Sequence, residues 1–578
     1  MRRNELQVRR LKIENFRGIK FLDWTLPVDQ KLITLVGPGD SGKSTTLVAL
    51  NFLLGDRWNI PFSDTDFFEV DTSQTIRIAA ILTGIPKPLL KESALGLWLR
   101  GLHKDGSLTE DPEDETEPAL TIQLVIGGDL EPSWEVYKSG RTQRLTSNQR
   151  REFSTFLVDE RTDAQLRWSR TSALGRLSAT DGADRSVLAE ASRAAQTALQ
   201  ESENSSLLNL SKKVQERVNG IGGGVFQDIK PGLDTSRSSL GAGLALYDGS
   251  LPLASYGLGS RRLASLAIQQ MAAGDRSIAI MDEIESGLEP HRAVNLLRYL
   301  QNGQGYSQVF ITTHAPIIVE QADLESLSVA QNEKGQLRIT SLAGSRSRLR
   351  ALRRSRPSSF LGKKILICEG KTEYGLIQAC VNYWDEGQNL LGEPVAAGRG
   401  FVLQDGAGGS EVALRCQEMI NLGFQVAGLL DHDDSSVQKA VNKALSAGVL
   451  VLQWDQGNNT ESQVCSALSW RMLEEFIRMG ADCRSDDLTV LADLQKAGLP
   501  QEQNSLELKS WQESGLTIEV ARDIVARAAN ESEWFKNIES GMILGKWLTE
   551  RSDSPELKSL WAILNRIQEF IYSENAEG

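Results

Sequence analysis

The chain has 578 residues, a formal net charge of −13, 40% hydrophobic and 24% charged content, which allows roughly three to four domains of soluble globular type. It contains no apolar run of about 18 residues, so a helical membrane span is not expected. The acidic balance argues against a protein that coats nucleic acid over its whole surface, but leaves room for a local groove of placed lysines and arginines.

The opening MRRNELQVRRLKIENF is basic but has no apolar signal core, so a cytoplasmic protein is expected. Its alternation predicts a strand over LQVRRLKIENF, a turn at Arg17-Gly18 and a second strand at FLDWTL. KLITLVG reads as a buried strand that runs into GPGDSGKST, Gly37 to Thr45, and TTLVALNFLLG then takes helical spacing. TIRIAAILT predicts another strand, HKDGSLTEDPEDETEP an acidic turn-rich loop, and LTIQLVIGG with SWEVYKSG a hairpin.

From Asp184 to Asn219 the composition turns helical and stops at Gly220 to Gly224, giving either a dimerising arm or helices packed in one core. RSIAIMDEIESGLEP and VFITTHAPII each predict an apolar strand with a polar end. SRSRLRALRRSRP, Ser345 to Pro357, holds six arginines and no acid. It reads either as an exposed basic linker or as a DNA-contacting strip. KKILICEG opens a new strand-loop-helix pattern, which puts a boundary near Pro357. The expected division is 1–100 and 241–345 for two lobes of one domain, 101–240 for inserted strands and a helical or dimerising region, 346–360 for the linker and 361–578 for a further domain with C-terminal helices. Cys368, Cys380, Cys416, Cys465 and Cys483 form no CxxC pair, which fits reduced thiols.

GPGDSGKS fits GxxxxGK[ST] in strand-loop-helix context. The cradle would comprise Gly37, Gly39, Ser41, Gly42, Lys43, Ser44 and Thr45, its backbone N–H groups turned in on phosphate and helped by the positive end of the helix. Lys43 would reach the β- and γ-phosphates of ATP and Ser44 would hold Mg²⁺. Asp282 would bind the same ion through water, and Glu283 would polarise the attacking water. The set resembles the ATP-binding-cassette ATPases of the RecF, Rad50 and SMC type. SYGLGS is similar to their signature loop, which puts Ser255, Gly257 and Gly259 at a nucleotide held by a second subunit. ESGLEP resembles the D-loop and His314 the switch histidine. The resemblance implies facing ATPase heads, hence a homodimer or higher oligomer. A glutamine-bearing loop is missing from the pattern, with Asp66 the nearest polar candidate.

The second constellation is acidic. Glu369 ends one apolar strand and Glu373 lies four residues on, while Asp431 and Asp433 end another strand in LLDHDD. Carboxylates gathered without compensating bases call for a cation, and hard oxygen ligands suit Mg²⁺ or Mn²⁺. Glu461, after a later strand, would join a second cation, and Lys536 or Lys546 would steady charge on a phosphate. The arrangement resembles the Toprim domain of topoisomerases, primases and certain nucleases. A topoisomerase would need a catalytic tyrosine, and Tyr374, Tyr383 and Tyr572 sit in no recognisable strand-passage context.

An α/β cassette ATPase interrupted by helices and followed by a Toprim domain resembles the OLD (overcoming lysogenization defect) family of nucleases. That resemblance implies metal-dependent DNA cleavage; the expected mechanism is two-metal hydrolysis of DNA phosphodiesters, with paired ions ~4 Å apart and ATP as a conformational gate. Glu369, Asp431 and Asp433 would hold one ion, and Glu373 and Glu461 the other. It further implies anti-phage duty beside a partner such as a helicase or a reverse transcriptase with its DNA, none of which this sequence identifies. The competing reading is a RecF- or Rad50-like DNA-binding ATPase with a non-catalytic Toprim part.

Overall fold

The structure is a computed structural model that describes residues 5–28, 30–55, 57, 59–153, 155–158, 165–167, 172–180, 205–233, 244–274, 277–303, 305–344, 347–406, 408–484 and 486–573. Two compact units divide the chain, Met1–Arg346 and Ser347–Gly578.

In the first unit a large mixed sheet runs through the described residues. Its parallel part places Thr155–Val158, Ile278–Met281, Gln308–Thr312, Leu32–Val36 and Leu327–Glu333 side by side in that order. Leu32–Val36, Ile278–Met281 and Gln308–Thr312 are buried along their whole length. That pattern follows from near-continuous apolar runs, as parallel strands covered on both faces require. The sheet then turns antiparallel through Ile19–Thr25, Gln7–Phe16, Ile76–Thr83 and Glu117–Ile126. Here the alternating apolar residues Leu11, Ile13, Ile76, Ile78, Ile122 and Leu124 are all buried. Glu117–Ile126 and Pro132–Lys138 pair as the predicted hairpin.

Of the predicted helical block, residues 184–204 lie outside the described residues. Ser205–Gly222 is a helix whose Leu207, Leu210, Val214, Val218 and Ile221 are buried. Its Arg217 Nε donates to Gln270 Oε1 at 3.1 Å, joining it to the helix Leu258–Ala273. This part of the block therefore packs into the unit's own core.

The second unit is built on a parallel sheet of four strands in the order Phe401–Asp405, Lys364–Cys368, Gln425–Leu430, Leu450–Gln453. Its first two strands in sequence thus lie to one side and the later two to the other. In open parallel sheets of this kind, the crevice beyond the strand C-termini forms where the winding reverses, between the first and third strands. Helices cover the sheet, and the core includes Trp384, Trp454, Trp511, Trp534 and Phe476. Lys364 Nζ donates to the carbonyls of Phe570 at 2.8 Å and Ser573 at 2.7 Å, so a lysine closes the C-terminal end of the last helix. The stretch read as a basic linker contains a helix, Ser347–Ser355, with Leu349 and Leu352 buried, followed by a short turn that buries Phe360.

Candidate nucleotide site and acidic centre

In the first unit the strand Leu32–Val36 delivers Gly37 with φ 146°. A Cβ there would stand 2.3 Å from the carbonyl oxygen of Ala330, so only glycine lets the loop pass this neighbouring strand. Gly42, at φ 84°, starts the helix Lys43–Leu54. Lys43 is buried, and its Nζ donates to Gly37 O at 2.9 Å, Pro38 O at 2.7 Å and Ser41 Oγ at 3.2 Å. Burial pushes its ammonium down to about 8, against the upward pull of Asp282, Asp40, Glu283 and Glu285. An ammonium folded back on its own loop carbonyls is a donor set that phosphate oxygens can take over. Gly39 and Thr45 belong to the same loop and first helical turn.

Ser44 Oγ donates to Asp282 Oδ1 at 3.0 Å, and Thr312 Oγ1 donates to the same oxygen at 2.5 Å. Residues 44 and 282 therefore meet, although 238 positions separate them. Thr312 Oγ1 also accepts the peptide N–H of Glu283 at 2.8 Å. Glu283 is held at φ 47° with its side chain exposed, a backbone region uncommon for residues with a Cβ. His314 is exposed at the end of the next strand, and its peptide N–H donates to Glu285 Oε1 at 2.6 Å. Thr313 Oγ1 donates to the other oxygen of Glu285 at 2.8 Å, so this acid ties two strand ends together.

Ser255 and Gly257 are exposed, and Gly257 precedes the helix Leu258–Ala273. The helix is anchored on the loop after Met281. A Cβ at Gly259 would meet Gly287 O at 2.2 Å. Arg262, buried, donates to Glu283 O at 2.7 Å, to Ser286 O at 2.9 Å and to Asp282 O. Asp66 is engaged elsewhere, accepting Arg17 Nε at 2.9 Å and the N–H of Ser63 at 3.0 Å. Arg262, Thr312 and Glu285 were missed in the sequence. The arginine follows the small-residue turn directly and Glu285 lies two positions past Glu283, which were the available signals.

In the second unit the acids gather where the winding of the sheet reverses. Glu369 follows Lys364–Cys368 and Asp431 follows Gln425–Leu430, and these strands are direct neighbours. Glu369 Oε2 accepts the peptide N–H of Asp431 at 2.9 Å. Glu373, on the first turn of the helix Lys371–Leu391, accepts the N–H of Gly370 at 2.8 Å and the Thr460 hydroxyl at 2.6 Å. Thr460 Oγ1 is also 3.4 Å from Asp431 Oδ1. Glu461, in the first turn of the helix Thr460–Ala467, is 2% exposed, and its Oε1 has no hydrogen-bond partner.

The electrostatics match this crowding. Burial pushes the Asp431 carboxyl up to about 9, with Glu373, Glu369, Glu461 and Asp433 adding to the rise. Burial, then Glu373, raises Glu461 to about 7, and Lys536 pulls it back. Glu373 is raised in the same sense, chiefly by burial. Asp433 is exposed, yet its charge is felt by both Asp431 and Glu461. Asp434 instead accepts the N–H and hydroxyl of Ser436 as a turn cap. Lys536 is exposed beside Phe535, whose carbonyl accepts Thr372 Oγ1 at 2.9 Å. Lys546 is exposed on the helix Ile538–Thr549.

Among the described residues no group of three His, Cys, Asp or Glu side chains forms a ready-made ion site. The donor chemistry nevertheless fits a hard cation. Four clustered carboxyls, one raised to about 9 and one with an orphaned buried oxygen, are the groups whose repulsion such an ion relieves. Thr460 was missed because a threonine before an acid carries no motif signal.

A family model described as "AAA domain, putative AbiEii toxin, Type IV TA system" matches residues 32–320. A curated protein named OLD nuclease, from Thermus scotoductus (strain ATCC 700910 / SA-01), is 30% identical over 182 residues, 29% of this chain and 30% of that protein. The resemblance to the OLD family is thus met by a relative of that name, of whose length this chain spans less than a third. Solved structures similar to the chain include an Smc head bound to the C-terminal winged-helix domain of ScpA, with TM-score 0.37, 15% identity, 58% of this chain and 98% of that one covered. An SMC head domain from Thermotoga maritima gives TM-score 0.30, 14% identity, 58% and 98%. TM-scores below 0.5 make this a distant likeness. Among the described residues no helix is long and apolar enough to cross a membrane.

Proposed function

From its membership of the AAA-domain family matched over residues 32–320, we propose that this ATPase is also a divalent-metal-dependent DNA nuclease of the OLD type, with the Toprim centre in residues 361–578. The carrying observation is the meeting of Glu369 with the Asp431 backbone at 2.9 Å inside a cluster that includes Glu373 and Glu461. Carboxylates from separate strands converge at the sheet's switch point, where ligands of such folds bind.

Glu369, Asp431 and Asp433 would hold one cation, and Glu373 and Glu461 would contribute to a second. Divalent cations, when bound between such carboxylates, supply Lewis-acid stabilisation and a hydroxide nucleophile at neutral pH. The chain's own part is to hold Glu369 and Glu373 at fixed angles through the amides of Asp431 and Gly370. Lys536, whose charge already reaches Glu461, would sit beside a DNA phosphate and oppose its developing charge.

In the ATPase part, Lys43, Ser44 and Asp282 would hold ATP and its Mg²⁺, with Glu283 and His314 at the γ-phosphate. Ser255, Gly257 and Gly259 would face the nucleotide of a second copy. ATP is read as a gate on DNA access, and bacterial defence against phage, beside a helicase or reverse-transcriptase partner, as the setting.

One observation favours the rival, a RecF- or Rad50-like DNA-binding ATPase with a structural Toprim part: both Glu373 oxygens are already hydrogen-bonded. Cleavage of plasmid and linear DNA with Mg²⁺, Mn²⁺ or chelator, for wild type and Glu369→Gln, separates the two. Divalent-dependent cutting lost in Glu369→Gln supports the nuclease, and no cutting under any condition supports the rival. For the gate, Lys43→Ala is assayed with and without ATP, and rates identical to wild type under both conditions rule it out.

A further inference from the structure

The hydroxyl of Thr460 sits between two acids and under an indole. Trp454 Nε1 donates to Thr460 Oγ1 at 2.8 Å, and Trp454 is 1% exposed. An indole N–H is a donor only, and a hydroxyl has one hydrogen to give. Because Thr460 receives from Trp454, its own hydrogen is directed elsewhere. The two acceptors are Glu373 Oε1 at 2.6 Å and Asp431 Oδ1 at 3.4 Å, and the shorter contact takes it.

Neither partner is free to drift. Thr460 is the first residue of its helix, which Asn459 caps by accepting the N–H of Ser462 at 2.9 Å. The loop bearing Trp454 is knitted to the Asp431 loop: His432 N–H donates to Asn458 O at 2.8 Å, and Gly457 N–H donates to His432 O at 2.9 Å. Gln463 Oε1 accepts the N–H of Asp455 at 2.9 Å and Asn458 Nδ2 at 2.9 Å, bracing the same loop. Glu373's second oxygen is pinned by Gly370 N–H.

We infer that Trp454 and Thr460 form a positioning relay that sets the angle of Glu373 against Asp431 for cation binding. The inference rests on the cation site proposed above. Trp454 orients the hydroxyl, the hydroxyl orients Glu373, and both acids lie within reach of that one oxygen. Groups that orient metal-binding carboxylates in this way are worth about 10–100-fold in metal affinity.

The test is titration of the full chain with Mn²⁺ by calorimetry, without nucleic acid, at one pH. Thr460→Val, which keeps the shape and removes the donor, is expected to weaken Mn²⁺ binding by about 10–100-fold. Thr460→Ser, which keeps the hydroxyl, is expected to bind close to wild type, and Trp454→Phe to fall between the two. Thr460→Val binding Mn²⁺ like wild type, while Asp431→Ala loses it, overturns the relay and leaves the cation site standing. Retention of full binding in both Asp431→Ala and Glu369→Gln removes the site and the relay together. Should the valine variant not fold, the other two decide: Trp454→Phe weakened and Thr460→Ser near wild type support the relay, and Trp454→Phe equal to wild type overturns it.

Discussion

Glu369 Oε2 accepts the peptide N–H of Asp431 at 2.9 Å, joining positions 62 residues apart at the C-terminal edges of adjacent strands. The bond fixes one carboxylate against the backbone that carries the next, so the acids cannot spread apart to relieve their repulsion. Burial first, and then the charges of Glu373, Glu369, Glu461 and Asp433 held nearby, raise the Asp431 carboxyl to about 9.

Asp431 therefore sets a pH dependence whose sign is opposite to that of a paired carboxylate. The unfolded chain releases this proton near the ordinary aspartate range, about 4, whereas the folded protein keeps it up to about 9. Between those values the native state binds more protons, so stability falls as pH rises through that window. Glu461, raised to about 7, acts in the same direction up to that pH. Thermal unfolding in chelator from pH 5 to 9 is expected to show this decline, with Asp431→Asn flatter and on the order of 3 °C more stable at pH 9. Added Mn²⁺ should remove most of the decline in wild type alone.

Lys43 carries a second pH signature. Its ammonium is lowered to about 8 from 10.5, so between those values the unfolded chain holds the extra proton and this group's contribution to stability rises with pH. Phosphate oxygens favour the charged form. ATP binding is therefore expected to take up a proton at pH 8.5 to 9 and to weaken as pH climbs further. Calorimetry in buffers of different ionisation enthalpy measures the uptake, and Lys43→Ala should abolish it with the binding.

Arg262 joins the helix Leu258–Ala273 to the carbonyls of Asp282, Glu283 and Ser286. Arg262→Ala leaves those carbonyls without their charged donor and is expected to cost about 3 kcal/mol. ATP turnover should fall more than ATP binding, since Lys43 and Ser44 are untouched while the Glu283 carbonyl loses its charged donor. Denaturant melts together with nucleotide-binding and turnover assays separate these effects.

The helix Ser347–Ser355 offers an electrostatic prediction. Arg354 is exposed, and the guanidinium of Arg356 lies over the Tyr374 ring at 5.0 Å, one residue past Glu373. If this strip carries DNA phosphates toward the acidic centre, Arg354→Glu with Arg356→Glu weakens DNA binding in Ca²⁺ regardless of sequence. The slope of log affinity against log salt should also drop by about 0.9 for each phosphate no longer neutralised. An unchanged slope would assign the arginines to the fold.

Much of this was legible in the chain. The strand, glycine loop and helix at residues 32–54 follow from an apolar run, residues that tolerate positive φ, and helical spacing. Glu369 and Asp431 were legible as partners because each ends an apolar strand, and parallel strands deliver their C-termini to one edge. The supports were hidden. Arg262, Thr312, Glu285 and Thr460 act through backbone groups or hydroxyls whose neighbours lie far off in sequence, and neither periodicity nor spacing records such partners. The basic stretch hid its helix in the same way: its arginines dominate the composition, while Leu349 and Leu352 supply the buried side.

The central claim is most directly tested by incubating wild type and Asp431→Ala with supercoiled plasmid and Mn²⁺, after confirming that both hydrolyse ATP equally. The account predicts nicking or degradation by wild type and none by the variant. Equal cleavage by both proteins would contradict it.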